Sequence, residues 1–176
     1  MALLKIFTWP DPVLKKVAEP LPGPSDELRQ LAADMRETMY AAPGVGLAAP
    51  QIGRSIRLIV VDPTAGQEEG HFRAVLNPEI VERSGEIVFE EGCLSVPGEV
   101  AEVKRSEKIR LQGMDLDGKP IDEALEGFPA VIFQHEIDHL DGKLFIDRIS
   151  ALKRAIIQKR LKKGTRPPAR SAQSAL

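Results

Sequence analysis

Residues 126–140 read Glu126-Gly127-Phe128-Pro129-Ala130-Val131-Ile132-Phe133-Gln134-His135-Glu136-Ile137-Asp138-His139-Leu140. A proline fits a helix only in its first turn, where its missing N–H has no intrahelical partner to lose. Pro129 therefore predicts a helix over about 126–140, ended by Asp141-Gly142. Val131, Ile132, Phe133 and Ile137 flank the polar residues, so this helix is expected to be buried on most sides. Such a helix must lie at the centre of a domain, with other elements packed around it.

Working outward, those elements are short. Prolines at 10, 12, 20, 22 and 24 keep the first 25 residues from forming a long helix. An N-terminal helix fits Asp26–Tyr40, with Ser25 as its cap and Leu28, Leu31, Met35 and Met39 at helical spacing. The stretch from Gly44 to Gly53 suits neither helix nor strand, and its small residues suggest backbone packed closely against something. Strands are expected at 57–62, 72–76, 79–89, 100–104 and 108–115, with Asn77-Pro78 separating the second from the third and Asp117-Gly118 forming a turn. A last helix fits about 150–162. The fold class is therefore α+β. Short, mostly antiparallel strands surround a central helix, with an N-terminal helix and a basic C-terminal helix. Residues 1–149 are expected to form the main domain, 150–163 the basic helix and 164–176 a disordered tail.

The 176 residues suit one domain, and 43% of them are hydrophobic, enough for a core without staples. The apolar runs fall well short of the roughly 18–20 residues that span a bilayer. No export signal is expected at Met1-Ala2-Leu3-Leu4-Lys5, and the single cysteine permits no intrachain disulfide. A reducing cytoplasmic location, no membrane association and a monomeric state are expected. Residues 1–149 carry 16 basic and 26 acidic side chains, a net charge of −10, whereas 150–176 carry 8 basic and no acidic ones. That balance argues against a body that grips nucleic acid and allows a tail that touches something anionic.

The chemistry starts in the central helix. His135 and His139 are four residues apart and share a helix face, so both imidazoles can reach one metal ion. Glu136 follows the first histidine, where its carboxylate can reach a water without binding the ion, as in metallohydrolases. A catalytic site usually has three protein ligands and one open position. No histidine or cysteine lies downstream of His139, and Asp141 and Asp147 are poorly spaced. Cys93, in Glu91-Gly92-Cys93-Leu94-Ser95, supplies the third ligand. Such a centre acidifies water and polarises a carbonyl, and Glu136 moves the proton. Gln51 and the Leu94 N–H are the candidate donors to an oxyanion. Two alternatives share parts of this pattern. One is a zincin-like metallopeptidase, which would not need Cys93. The other is a non-catalytic metal-binding protein, which would need a fourth ligand. His71, the remaining histidine, sits in a polar loop and reads as a surface residue.

Three segments together resemble bacterial-type peptide deformylases: Gly44-Val45-Gly46-Leu47-Ala48-Ala49-Pro50-Gln51, Glu91-Gly92-Cys93-Leu94-Ser95 and Gln134-His135-Glu136-Ile137-Asp138-His139. Pro10-Asp11-Pro12-Val13-Leu14 also fits, and the resemblance spans roughly residues 5–148. It implies a metal-dependent amide hydrolase that removes the formyl group from N-formylmethionyl nascent peptides. It implies Cys93, His135 and His139 as ligands of one divalent ion per chain. Fe²⁺ is expected natively, with Zn²⁺, Ni²⁺ or Co²⁺ able to occupy isolated protein. Glu136 is then the general acid and base, with Gln51 and Leu94 stabilising the oxyanion. The methionine side chain would enter a pocket walled by Val45, Glu91, Phe128, Val131, Ile132 and His135. Gly44 and Gly46 would flank the substrate backbone, Gly92 would also bind substrate, and Asp138 would pair with Arg105 to brace the helix. Many relatives carry arginine seven residues after the metal cysteine, where this chain has Val100. The resemblance also implies that the basic C-terminal helix docks on the ribosome, the alternative being a short helix packed on the body with a solvated basic face.

Overall fold

The computed structural model describes residues 2–164 and Leu176. Seven strands and three α-helices are present among them: α1 (Asp26–Ala41), β1 (Gly46–Ala48), β2 (Leu58–Val61), β3 (Arg73–Ser84), β4 (Ile87–Cys93), β5 (Val96–Arg105), β6 (Lys108–Met114), β7 (Pro120–Glu126), α2 (Phe128–Leu140) and α3 (Ala151–Lys163). One sheet has the order β1-β2-β3-β6-β7, and β4 pairs with β5 as a separate ribbon. Every strand pairing is antiparallel.

α2 lies against β1, β2, β3 and β7. Its residues from Ala130 to Leu140 are all buried. Val131, Ile132, Phe133 and Ile137 pack there with Ile59, Val61, Val75, Ile109 and Leu111 from the sheet. The helix begins after Gly127, whose φ of 67° suits a glycine. It ends where Arg57 donates to the Leu140 carbonyl and to Asp141, at 3.1 Å each. α1 packs on the other side of β1 and β2, burying Leu28, Leu31, Met35 and Met39 against Leu47, Leu58 and Val60. Ser25 caps α1 by accepting from the Leu28 N–H at 3.2 Å.

Several elements differ from expectation, and the strand expected over 79–89 is broken, its first part ending β3 at Ser84 and its last opening β4 at Ile87. β3 runs through Asn77-Pro78 because the strand absorbs them as an irregularity in register. Asn77 takes φ 50° there, and its amide pairs with both backbone groups of Leu21 at 2.8 Å. Within the stretch from Gly44 to Gly53, residues 46–48 form β1 and 49–52 a 3-10 turn. β7 was not expected, and α2 begins two residues later than the sequence suggested. In the C-terminal helix, Ile157 is buried but Leu152 and Ile156 are 72% and 46% exposed, so those two do not join its packed face. Of the tail expected to be disordered, residues 165–175 lie outside the described residues, Gly164 ends α3, and Leu176 is fully buried.

Candidate metal centre

Three elements converge at one end of α2. The helix itself presents His135 and His139. The end of β4 presents Glu91, Gly92 and Cys93, where the pairing shifts register between Gly92 and Cys93 and the chain turns into β5. β1 and its following 3-10 turn bring Gly46 and Gln51 alongside.

The Cys93 Sγ lies 3.4 Å from His139 Nε2, which lies 3.2 Å from His135 Nε2. All three ligand atoms fall within 4.8 Å of one another, and each residue is buried. Tetrahedral ligation with typical N and S bond lengths separates two nitrogens by about 3.3 Å and a nitrogen from sulfur by about 3.6 Å. The spacing therefore fits a shared ion. A carboxylate can only accept, so His135 Nδ1, 2.9 Å from Glu91 Oε1, carries its hydrogen toward Glu91 and leaves Nε2 to face the centre. Downstream acids are engaged elsewhere: Asp141 pairs with Arg57, and Asp147 accepts from the Leu144 N–H. His71 pairs with Glu68 at the surface. Among the described residues no other group of three metal-ligating side chains is clustered, so a closed four-ligand site has no support.

Glu136 is fully buried, and neither carboxylate oxygen has a hydrogen-bond partner. Burial is the main cause that raises its pKa, to about 7, with the nearby Glu91 charge adding to the effect and the His135 charge opposing it. Burial likewise holds His139 well below the usual histidine value, in the neutral form that binds metal. At His135 burial pulls the pKa down, but the contacts to Cys93 and Glu91 outweigh it and lift the value to about 10. An ion entering the site must displace that proton. A Cβ on Gly46 would come within 2.8 Å of Glu136 Oε1, so only glycine lets β1 approach this carboxylate.

Gln51 is buried, its Oε1 accepting from the Ala48 N–H at 2.9 Å. Its Nε2 donates to Ser95 Oγ at 3.1 Å and sits 3.6 Å from the Cys93 sulfur. Sulfur is a weak acceptor, so one amide hydrogen is weakly engaged and faces the centre. Leu94 is partly buried, and its side chain covers Gly44.

Behind the ligands lies a buried ionic network. Arg105 donates to both oxygens of Glu91 at 2.8 Å and to Asp138 at 2.7 Å. Arg148 adds two bonds to Asp138, at 2.7 and 3.1 Å. Glu91 faces the network with its carboxylate, beyond the wall role implied by the sequence, and Arg148 was not anticipated. Its signal is tertiary, since it comes from a 3-10 turn at 145–148.

An apolar cleft of about 540 Å³ opens beside the centre, lined in part by Gly44, Val45, Pro63, Ala65, Phe89 and Phe128. Phe89 stacks at a tilt on Phe128, with centroids 5.3 Å apart, and sequence reasoning missed it. Val131 and Ile132 do not line the open cleft; they are wholly buried in the cluster under it.

Comparison with known proteins places this geometry. The polypeptide deformylase family model matches residues 3–155. The chain is 48% identical over 165 residues to a peptide deformylase of Alkalilimnicola ehrlichii, covering 93% of this chain and 91% of that one. It is 50% identical over 165 residues to one from Desulfotalea psychrophila, covering 93% and 97%. A crystal structure of a peptide deformylase from Legionella pneumophila superposes with a TM-score of 0.87 at 48% identity, covering 93% of this chain and 95% of that one.

Proposed function

The chain belongs to the polypeptide deformylase family, and on that premise we propose how its residues remove the formyl group from the N-terminus of formylmethionyl peptides. It is a metal-dependent amide hydrolase. The observation that carries the residue assignment is the buried Glu136 carboxylate, with no hydrogen bond on either oxygen, beside three ligand atoms held within 4.8 Å.

Cys93, His135 and His139 hold one divalent ion. When bound, it supplies Lewis acidity, lowering the pKa of water and polarising the formyl oxygen. Glu136 takes a proton from the attacking water, and its raised pKa lets it return that proton near neutral pH. The proton goes to the peptide nitrogen as the C–N bond breaks, releasing formate and a free amine. The weakly engaged amide hydrogen of Gln51 and the Leu94 N–H stabilise the oxyanion. Val45, Phe128, Val131 and Ile132 receive the methionine side chain, while Gly44, Gly46 and Gly92 leave room for the peptide backbone. A thiolate with two imidazoles suits Fe²⁺, and also Zn²⁺, Ni²⁺ or Co²⁺, better than Mg²⁺.

Formylated nascent chains and a reduced thiol both point to the cytoplasm. The chain is proposed to act as a monomer. No described helix is long and apolar enough to cross a membrane. The α3 helix, with Lys153, Lys159, Lys162 and Lys163 exposed, is proposed to dock on ribosomal RNA near the emerging chain.

The decisive assay measures formate release from formylmethionyl peptides by protein loaded anaerobically with Fe²⁺. Wild type should turn over. Glu136→Gln should keep its metal and lose about 10²–10⁴-fold in rate. Near-normal kinetics in a metal-replete variant would remove Glu136 from the mechanism.

A further inference from the structure

Leu176 has no exposed surface. It packs in the same apolar cluster as Val131 and Ile132, against which Val45 and Phe128 also lie. Its N–H donates to the Gly92 carbonyl at 3.3 Å, one residue before Cys93. The open cleft is bounded by Val45 and Phe128 but stops short of Val131 and Ile132, whose cluster already holds the leucine. Leucine and methionine are close in volume and exchange readily in apolar sites.

Contacts of α3 reach the same ribbon. Arg160 of α3 donates to Glu99 at 2.7 and 3.1 Å. Glu99 neighbours Val100, which pairs with Gly92 across the ribbon. The chain from Gly164 to Leu176 reaches at most about 40 Å when extended.

We propose that Leu176 is an internal occupant of the side-chain pocket, held there in competition with substrate. This rests on the reading of Val45, Phe128, Val131 and Ile132 as that pocket. Tethering places the leucine at an effective concentration of about millimolar, enough to fill a pocket it would bind weakly as a free residue. A formylated peptide displaces it. Between turnovers the leucine covers the apolar walls and the approach to Cys93.

The test uses the full chain carrying Leu176→Asp, with Leu176→Met as the conservative control. Formylmethionyl peptide kinetics should show KM lowered about threefold or more by Leu176→Asp, with kcat unchanged and Leu176→Met close to wild type. Alkylation of Cys93 by iodoacetamide in metal-stripped protein should be several-fold faster in Leu176→Asp. Equal KM and equal alkylation rates in all three forms overturn the proposal. An effect that grows with protein concentration overturns it too, since the occupant would then come from a second copy. If no form releases formate, the reading of the reaction fails, while the alkylation rates still decide whether Leu176 occupies the site.

Discussion

His135 Nδ1 lies 2.9 Å from Glu91 Oε1, and both oxygens of that carboxylate are held by Arg105. One buried acid thus fixes the orientation of a metal-ligating ring and neutralises the guanidinium that braces the helix. Glu91→Gln should disturb both tasks. Partners of this kind typically change metal affinity by about 10–100-fold. Metal off-rates into a chelator should rise accordingly, and the melting temperature should fall because Arg105 loses a charged partner in the interior. Unchanged off-rate and melting temperature would show that Glu91 serves only as a pocket wall.

Gly46→Ala tests the close approach of β1 to the Glu136 carboxylate. The added methyl would sit 2.8 Å from Glu136 Oε1 and 2.9 Å from its Cγ, too near for both to stay in place. The Glu136 side chain must move, while Cys93, His135 and His139 remain. Metal content should therefore stay near one ion per chain while kcat drops, by tenfold or more if catalysis needs the placement that a misplaced group typically loses (about 10²-fold). A variant with wild-type kcat would mean that Glu136 tolerates the shift and that the tight fit is incidental.

How much of this was legible in the sequence depended on how local the signal was. His135 and His139 share a helix face because of a spacing that any helix imposes, so their pairing needed no tertiary knowledge. Cys93 required an argument from what two histidines lack. Arg148 left no trace, because its bonds to Asp138 exist only once the 3-10 turn at 145–148 folds back on α2. The strands behave likewise. β2 announced itself through Leu58-Ile59-Val60-Val61, buried throughout. β7 alternates half-buried and exposed residues at the sheet's edge, and its charged members hid the apolar Ile121 and Leu125. Asn77-Pro78 looked like a break, but Leu21 satisfies the Asn77 amide and lets the strand continue.

Acid should unmake the ionic network. Burial alone would raise the Glu91 and Asp138 pKa values. The bonds from Arg105 and His135 to Glu91, and from Arg148 and Arg105 to Asp138, outweigh it and hold both below their ordinary values. A carboxylate depressed in the folded state adds stability above its unfolded pKa and loses it as pH falls through the folded one. The stability difference between wild type and Asp138→Asn, from urea unfolding of metal-stripped protein, should be largest above about pH 5 and shrink toward pH 3. A difference that does not vary with pH would mean that Asp138 contributes shape and not charge.

The basic helix offers the last test. Arg160 is committed to Glu99, and Ile157 is buried in the cluster with Phe145 and Ile146, so one face of α3 is spent on the body. Lys162 leans over the Trp9 ring at 5.9 Å, at the margin of that contact. Lys153, Lys159 and Lys163 are exposed, as are Leu152 and Ile156. If this outer face meets ribosomal RNA, its attraction is mostly phosphate neutralisation and falls steeply with salt. Replacing Lys153, Lys159 and Lys163 by glutamate reverses three charges without touching Ile157, Arg160 or the site. Co-sedimentation with ribosomes should be strong for wild type at low salt, weak at high salt and weak for the triple variant in both. Formate release from short free peptides should be the same for both proteins, since the face lies outside the catalytic groups. Equal sedimentation of the two proteins at low salt would leave α3 as a solvated brace for β5 and nothing more.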